Sequence, residues 1–249
     1  MTTPHSRRRT PEFGLCSRDR SPGGHGAAGT VRYPLAHDSS GEAKEQPVSI
    51  EIPRPSSALP SAPAKLRILE TANQLFYGDG IRTVGVDRLI SASSVTKATF
   101  YKHYGSKDRL ITEYIDYRHR QVAEWLADLA AADDDPARML AALQEAITTA
   151  ISTPGFRGCP FINAAAEFPD AAHPVRRAVE RHREWYVDVL EQLLRRVGHP
   201  MSGEAADDLM LARDGAMTGG YAGDPIASTT ALNRAFGRVL SETRSPVSA

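Results

Sequence analysis

The sequence predicts an all-α protein, and three observations carry that expectation. Apolar residues recur at three- and four-residue spacing through most of residues 65–241. Gly, Pro and Asp interrupt the pattern at intervals, and no stretch shows the two-residue alternation of a half-buried strand. The expected order is a disordered N-terminal extension (1–64), a three-helix unit of helix-turn-helix type (65–112), and a larger helical domain (113–249).

Composition bounds the class. The 249 residues carry 30 basic and 30 acidic side chains, with 41% hydrophobic and 24% charged, which is ordinary globular usage. No run of 18 apolar residues occurs, so no membrane-spanning helix is expected. The two cysteines, Cys16 and Cys159, cannot build a disulfide framework or a four-thiolate zinc site, which fits a reducing cytoplasm. Arg outnumbers Lys by 25 to 5, the flavour of a GC-rich bacterial genome.

The zero net charge hides a split. Residues 65–112 hold 8 basic and 4 acidic side chains, whereas residues 113–249 hold 14 and 20. A basic module joined to an acidic remainder suits a polyanion reader attached to a partner or effector domain. Residues 1–64 contain 9 of the 17 prolines and show no helical or strand period, a composition that buries too little apolar area to order itself. Arg7-Arg8-Arg9 is followed by no apolar stretch, so an export signal is not expected there. A flexible arm and a start assigned too far upstream both remain open.

The first helix follows Pro63, with Leu66, Leu69, Ala72, Leu75 and Phe76 at helical spacing and an exit at Gly78-Asp79-Gly80. A short second helix carries Val86, Leu89 and Ile90 on one face. Ser91-Ala92-Ser93-Ser94 gives a polar break, with Val95 as an apolar plug at the turn. Thr96 is suited to cap a third helix running from Lys97 to about His103, because its hydroxyl can accept an orphan backbone N–H. Two short helices about such a turn describe a helix-turn-helix, whose second helix enters the major groove. Its exposed face offers Lys97, Ala98, Thr99, Tyr101, Lys102 and His103, with Phe100 and Tyr104 turned inward. Ser106 caps a long fourth helix, and Lys107 in its first turn opposes the helix dipole unless a phosphate binds there. The opposing reading makes Lys107 a solvated cation balanced by Asp108.

Arg67-Ile68-Leu69, Leu75-Phe76, Gly80 and the run Val95-Thr96-Lys97-Ala98-Thr99-Phe100-Tyr101-Lys102-His103-Tyr104-Gly105-Ser106-Lys107-Asp108-Arg109-Leu110-Ile111 closely resemble the DNA-binding domain of TetR-family transcriptional regulators. The segments Gly158–Phe168 and Arg213–Gly220 resemble one branch of that family. The resemblance implies a helical homodimer that binds double-stranded operator DNA under control of a small-molecule effector, commonly as a repressor released by the ligand. It implies Val84, Gly85, Thr96, Lys97, Ala98, Thr99, Tyr101, Lys102 and His103 as DNA-binding candidates, joined by Lys107. Val84-Gly85 departs from the family's usual Thr or Ser, leaving only backbone N–H groups to meet a phosphate. Ser94 stands where the turn usually has Gly, at a cost of about 1 kcal/mol if the backbone is left-handed there.

In the second half, Leu110, Tyr114, Tyr117, Val122, Trp125, Leu126 and Leu129 give the fourth helix an apolar face. Asp133-Asp134-Asp135-Pro136 ends it and opens the next, which Pro154-Gly155 breaks. His173-Pro174 opens a long seventh helix closed by Gly198, and two more follow at about 203–221 and 225–241. An effector pocket between these helices would draw on Trp125, Phe156, Cys159, Phe161, Asn163, Glu167, Phe168 and Trp185, which equally suit a core. Asn163 and Glu167 share a face and suit either a ligand or a neighbouring helix end. The small residues Ala216–Gly223 suit close helix approach, between subunits or within one chain.

Other classes fare worse. Cys159 with His173 or His182 would give a Cys/His nucleophile pair only if the fold joins them. No phosphate-cradling Gly loop or zinc-type His pair appears, so the sequence assigns no catalytic residue, metal ligand or cofactor. A thiol- or metal-responsive regulator using Cys159 remains the alternative, and an interaction protein with an unused reading head is a third.

Overall fold

The computed structural model describes residues 63–243; the extension assigned to 1–64 lies almost wholly outside them. The described residues form α1 (Pro63–Asp79), α2 (Val86–Ala92), α3 (Lys97–Tyr104), α4 (Lys107–Ala132), α5 (Pro136–Ser152), α6 (Pro160–Glu167), α7 (Pro174–Arg196), α8 (Ser202–Ala222) and α9 (Pro225–Glu242). They contain no strand. None of these helices is long and apolar enough to cross a membrane.

The helix starts follow their capping chemistry. Thr96 accepts from the Thr99 amide, Ser106 from Arg109, Asp135 from Ala137 and Arg138, and Asp224 from Ile226 and Ala227. Proline opens α5, α6, α7 and α9, where its missing N–H costs no hydrogen bond. His173 caps α7 by accepting from the Val175 amide. The polar break expected at 91–94 is shorter than anticipated. α2 continues to Ala92 and Ser93 is buried, its Oγ donating to the Leu89 carbonyl at 2.6 Å. Ser94 has φ +52°, the one left-handed non-glycine among the described residues.

α1–α3 close over Ile68, Leu69, Phe76, Leu89 and Phe100, joined by Leu110 and Tyr114 from α4. The core runs on through α4 without a break, and the division expected at 112/113 falls inside one continuous helix. Beyond it, α4 and α5 lie against α7, α7 packs on α8, and α8 on α9. The small-residue segment of α8 serves approach within this chain. A Cβ on Gly220 would stand 2.6 Å from Ile151 of α5, and one on Gly219 would stand 2.7 Å from the Ser228 hydroxyl of α9.

Candidate nucleic-acid interface

α3 is held by two aromatic rings and presents the rest of its surface outward. Phe100 and Tyr104 are buried, and the Tyr104 hydroxyl donates to the Lys65 carbonyl at 2.9 Å, pinning α3 to the start of α1. Burial raises the Tyr104 pKa above its ordinary value, so the phenol stays a donor. Gly105 (φ +71°) stops the helix, its amide bonded to the Tyr101 carbonyl. Four side chains, Lys97, Ala98, Tyr101 and Lys102, are exposed on this helix, and Thr99 and His103 are half-buried. Tyr101 is 43% exposed, although its ring packs edge-on to Phe100 at 5.4 Å. The Thr96 and Thr99 hydroxyls meet at 2.9 Å. A rigid short helix therefore shows two ammonium groups, a phenol and a small Ala98, which lets a ligand backbone come close.

The neighbouring candidates behave differently. Val84 is fully buried, so its side chain belongs to the core and only its backbone is left for contact. Gly85 is exposed in an extended conformation as the N-cap of α2. Lys107 is turned inward. Its Nζ donates to the Ile81 carbonyl at 2.7 Å and lies 6.0 Å over the Phe76 ring, and burial lowers its pKa against the pull of Glu167. The mismatch with the helix dipole is thus met by a backbone carbonyl of the α1–α2 loop.

The same loop is tied to the helical domain. Glu167, the last residue of α6, accepts from the Ile81 amide at 2.9 Å through Oε1 and from the Arg82 amide at 2.6 Å through Oε2. At the other end of α6, the Tyr77 hydroxyl donates to the Gly158 carbonyl (3.0 Å) and accepts from the Arg157 amide (2.9 Å). Both ends of α6 thereby grip the three-helix unit, one at the end of α1 and one at the loop after it. Glu167, named from sequence as a ligand candidate, spends both carboxylate oxygens on this joint. Asn163 holds the loop before α6, donating to the Arg157 carbonyl at 2.7 Å.

The other ligand candidates divide between core and partial burial. Cys159, Phe161 and Phe168 are buried; Trp125, Phe156 and Trp185 are half-buried. Phe161 stacks on His182, and Trp185 meets His119 edge-on at 4.8 Å. His119, half-buried, and His182, buried, face each other through their Nδ1 atoms at 3.1 Å, a pairing that no local spacing in the sequence marks. Cys159 receives a hydrogen bond from Arg213 Nη2 (3.6 Å), whose Nη1 is bonded to Asp214. None of the eight candidates lines the cavity of about 700 Å³ between α6 and α7, whose apolar wall is Ile162, Ala165, Val179 and Val187. Phe168 lines a smaller cleft, about 410 Å³, with Ile81, Lys107, Asp170 and His173. No sequence signal marked the larger cavity, because half-buried apolar residues beside surface charges are what any amphipathic helix shows.

Comparison with known proteins agrees with this architecture. Residues 68–114 match the model for bacterial regulatory proteins of the tetR family, and residues 136–208 match a tetracyclin repressor-like C-terminal domain. The chain is 30% identical over 135 residues to the HTH-type transcriptional regulator LmrA of Bacillus subtilis (strain 168), covering 53% of this chain and 71% of that protein. The TetR-family regulator SCO4454 of Streptomyces coelicolor superposes with a TM-score of 0.69 at 38% identity, over 73% of this chain and 96% of that one. A putative regulator of the same family from Streptomyces avermitilis gives 0.59 at 26% identity, over 70% and 98%.

Proposed function

The chain belongs to the TetR family of transcriptional regulators, with a helix-turn-helix DNA-binding domain, and from that premise we propose that it is a homodimeric repressor released from its operator by a small-molecule effector. The exposed face of α3 carries this reading. Lys97, Ala98, Tyr101 and Lys102, with Thr96, Thr99 and His103 at its edges, meet base edges and phosphates, and Gly85 offers a backbone N–H beside them. In this reading the protein acts by binding rather than by catalysis.

Dimerisation uses the outer faces of α8 and α9. Leu211 is 68% and Ile226 78% exposed, large apolar side chains among small neighbours such as Gly215 and Ala227. The two α3 helices of the dimer must stand roughly 34–36 Å apart to reach successive major grooves. Because α6 holds each reading head at both ends, an effector that moves α6 changes that spacing. It weakens DNA binding only as far as it prefers the displaced state.

The test is a gel shift of the full chain on DNA flanking its own gene across a salt series. A discrete dimer-sized shift, lost in the Lys97→Ala, Tyr101→Ala double variant, supports the reading; smeared binding equal on unrelated DNA overturns it. A second reading, a thiol-responsive regulator, is favoured by one contact, the Arg213 guanidinium on Cys159 Sγ. An unchanged effector response in Cys159→Ser removes it.

A further inference from the structure

We infer that the groove between α6 and α7 is a binding site for a lipophilic organic cation, and that such a cation is the effector; the second half of this inference rests on the repressor reading above. The space is about 700 Å³, the size that encloses most of a drug-sized molecule. One wall is apolar, from Ile162 and Ala165 of α6 and Val179 and Val187 of α7. Glu180, Glu184 and Asp188, one per turn of α7 and all exposed, line the groove as well. Among the described residues, none of these three carboxylates has an ion-pair or hydrogen-bond partner.

Two cations also line the groove, and only one of them has a carboxylate partner. Arg183 is paired with Asp214, and Arg176 donates to the Phe168 carbonyl at 3.0 Å. Like charges one helical turn apart repel one another. Three of them beside an apolar wall favour a guest that is greasy over most of its surface and positive at one edge. A neutral ligand would forgo the attraction, and an anion would meet three carboxylates against two guanidinium groups, one of them already paired with Asp214.

The chemistry calls for a pair of probes equal in shape and opposite in charge, tetraphenylphosphonium and tetraphenylborate. Each is titrated calorimetrically into the full chain, and tryptophan emission gives a second readout, since Trp185 adjoins Glu184 on α7. We expect saturable binding of one phosphonium per protomer, with the borate at least about tenfold weaker. Each nearby carboxylate contributes a factor of several even at high effective dielectric. The triple variant Glu180→Gln, Glu184→Gln, Asp188→Asn should therefore weaken phosphonium binding by at least about tenfold, with its melting temperature unchanged or raised. Equal affinity for the two ions, no saturable phosphonium binding, or full binding by the triple variant overturns the site. If instead the triple variant changes the sedimenting mass and no probe binds, the groove is a subunit contact and the assignment falls.

The regulatory half has its own arm. Phosphonium at saturation should lower affinity for the gel-shift duplex in wild type but not in the triple variant. Charge-selective binding with DNA affinity untouched leaves the site standing and removes its role as effector site. A protein that binds phosphonium but no specific DNA overturns the repressor reading and leaves the groove assigned.

Discussion

Replacing Glu167 by alanine tests the joint between the two halves of the chain. The carboxylate bonds the Ile81 amide in a half-buried setting and the Arg82 amide in an exposed one. Hydrogen bonds to a charged group contribute about 1.5–3 kcal/mol each when shielded and less when solvated, so losing both should cost roughly 2–3 kcal/mol. The opposite sign follows if the bonds are idle. Glu167 ends α6, where a negative charge opposes the helix dipole, and its removal alone would stabilise by about 0.3–1 kcal/mol. Alanine also suits a helix better than any other residue. The sign of the change therefore decides the question. Urea unfolding reads the global loss, and amide hydrogen exchange reads it locally: Ile81 and Arg82 should exchange about ten- to a hundredfold faster, at about 1.36 kcal/mol per decade. Glu167→Gln should fall between, since one amide oxygen keeps one of the two donors. Unchanged exchange at Ile81, or a stabilised Glu167→Ala, would refute the joint.

Four further outcomes follow from other parts of the structure. Ser94→Gly should stabilise the protein by about 0.5–1 kcal/mol, since φ +52° strains serine and not glycine; a lower melting temperature would contradict this. Lys107→Met should cost about 1 kcal/mol by losing the bond to Ile81 while leaving the salt dependence of DNA binding intact; a slope reduced by about one would instead put Lys107 on a phosphate. Burial, then Arg213, His119 and Arg183, hold His182 neutral well below its ordinary value. The unfolded chain takes up a proton below about pH 6.5 that the folded chain refuses, so this contribution is complete above that pH and is lost as pH falls. Between pH 7 and 5.5, wild type should lose about 1 kcal/mol more than His182→Gln, and parallel profiles would sink the argument. Leu211→Glu should convert the dimer to monomer by light scattering, and an unchanged mass would move the interface elsewhere.

Much of the fold was legible because capping chemistry is local. Asp135-Pro136, His173-Pro174 and Asp224-Pro225 each carry both the acceptor and the fixed φ that open a helix, and each opens one here. The inward placement of Phe100 and Tyr104 needed only their four-residue spacing. Ser94 is legible in the same local way, a side chain where the turn geometry asks for none. α6 resisted because its role is settled at long range. Glu167 pairs with backbone amides 86 and 85 positions away, and a backbone donor leaves no mark on the identity of Ile81 or Arg82. Neither a phosphate clamp nor a solvated cation, the two readings the sequence offers for Lys107, points to its partner here, a carbonyl 26 residues upstream. Large aromatics suit a pocket wall and a core alike, and sequence does not separate the two: Phe161 is buried beside His182, whereas Phe168, also buried, borders the smaller cleft.

The groove and the joint share one short helix, and under the repressor proposal that would give a ligand a route to the DNA. Ile162 and Ala165 face the groove, while Glu167, two residues on, holds the loop of the reading head. Eight residues rise only about 12 Å, so a guest that pushes α6 away from α7 cannot leave either end of α6 where it was. Its upstream end is fixed to Tyr77 through Arg157 and Gly158, so the displacement reaches α1 as well as the loop behind it. α4 carries the opposite constraint, since its Tyr114 packs on Phe76 of the head while the same helix lies against α7 of the helical domain. A head held by α6 at two points and by α4 along a third line pivots when one of the three moves, and pivoting is what changes the distance between paired recognition helices. The strength of that coupling is bounded by the bonds that transmit it. If Glu167→Ala leaves phosphonium binding intact but blunts its effect on DNA affinity, α6 is the transmitting element; if the effect survives in full, α4 carries it alone.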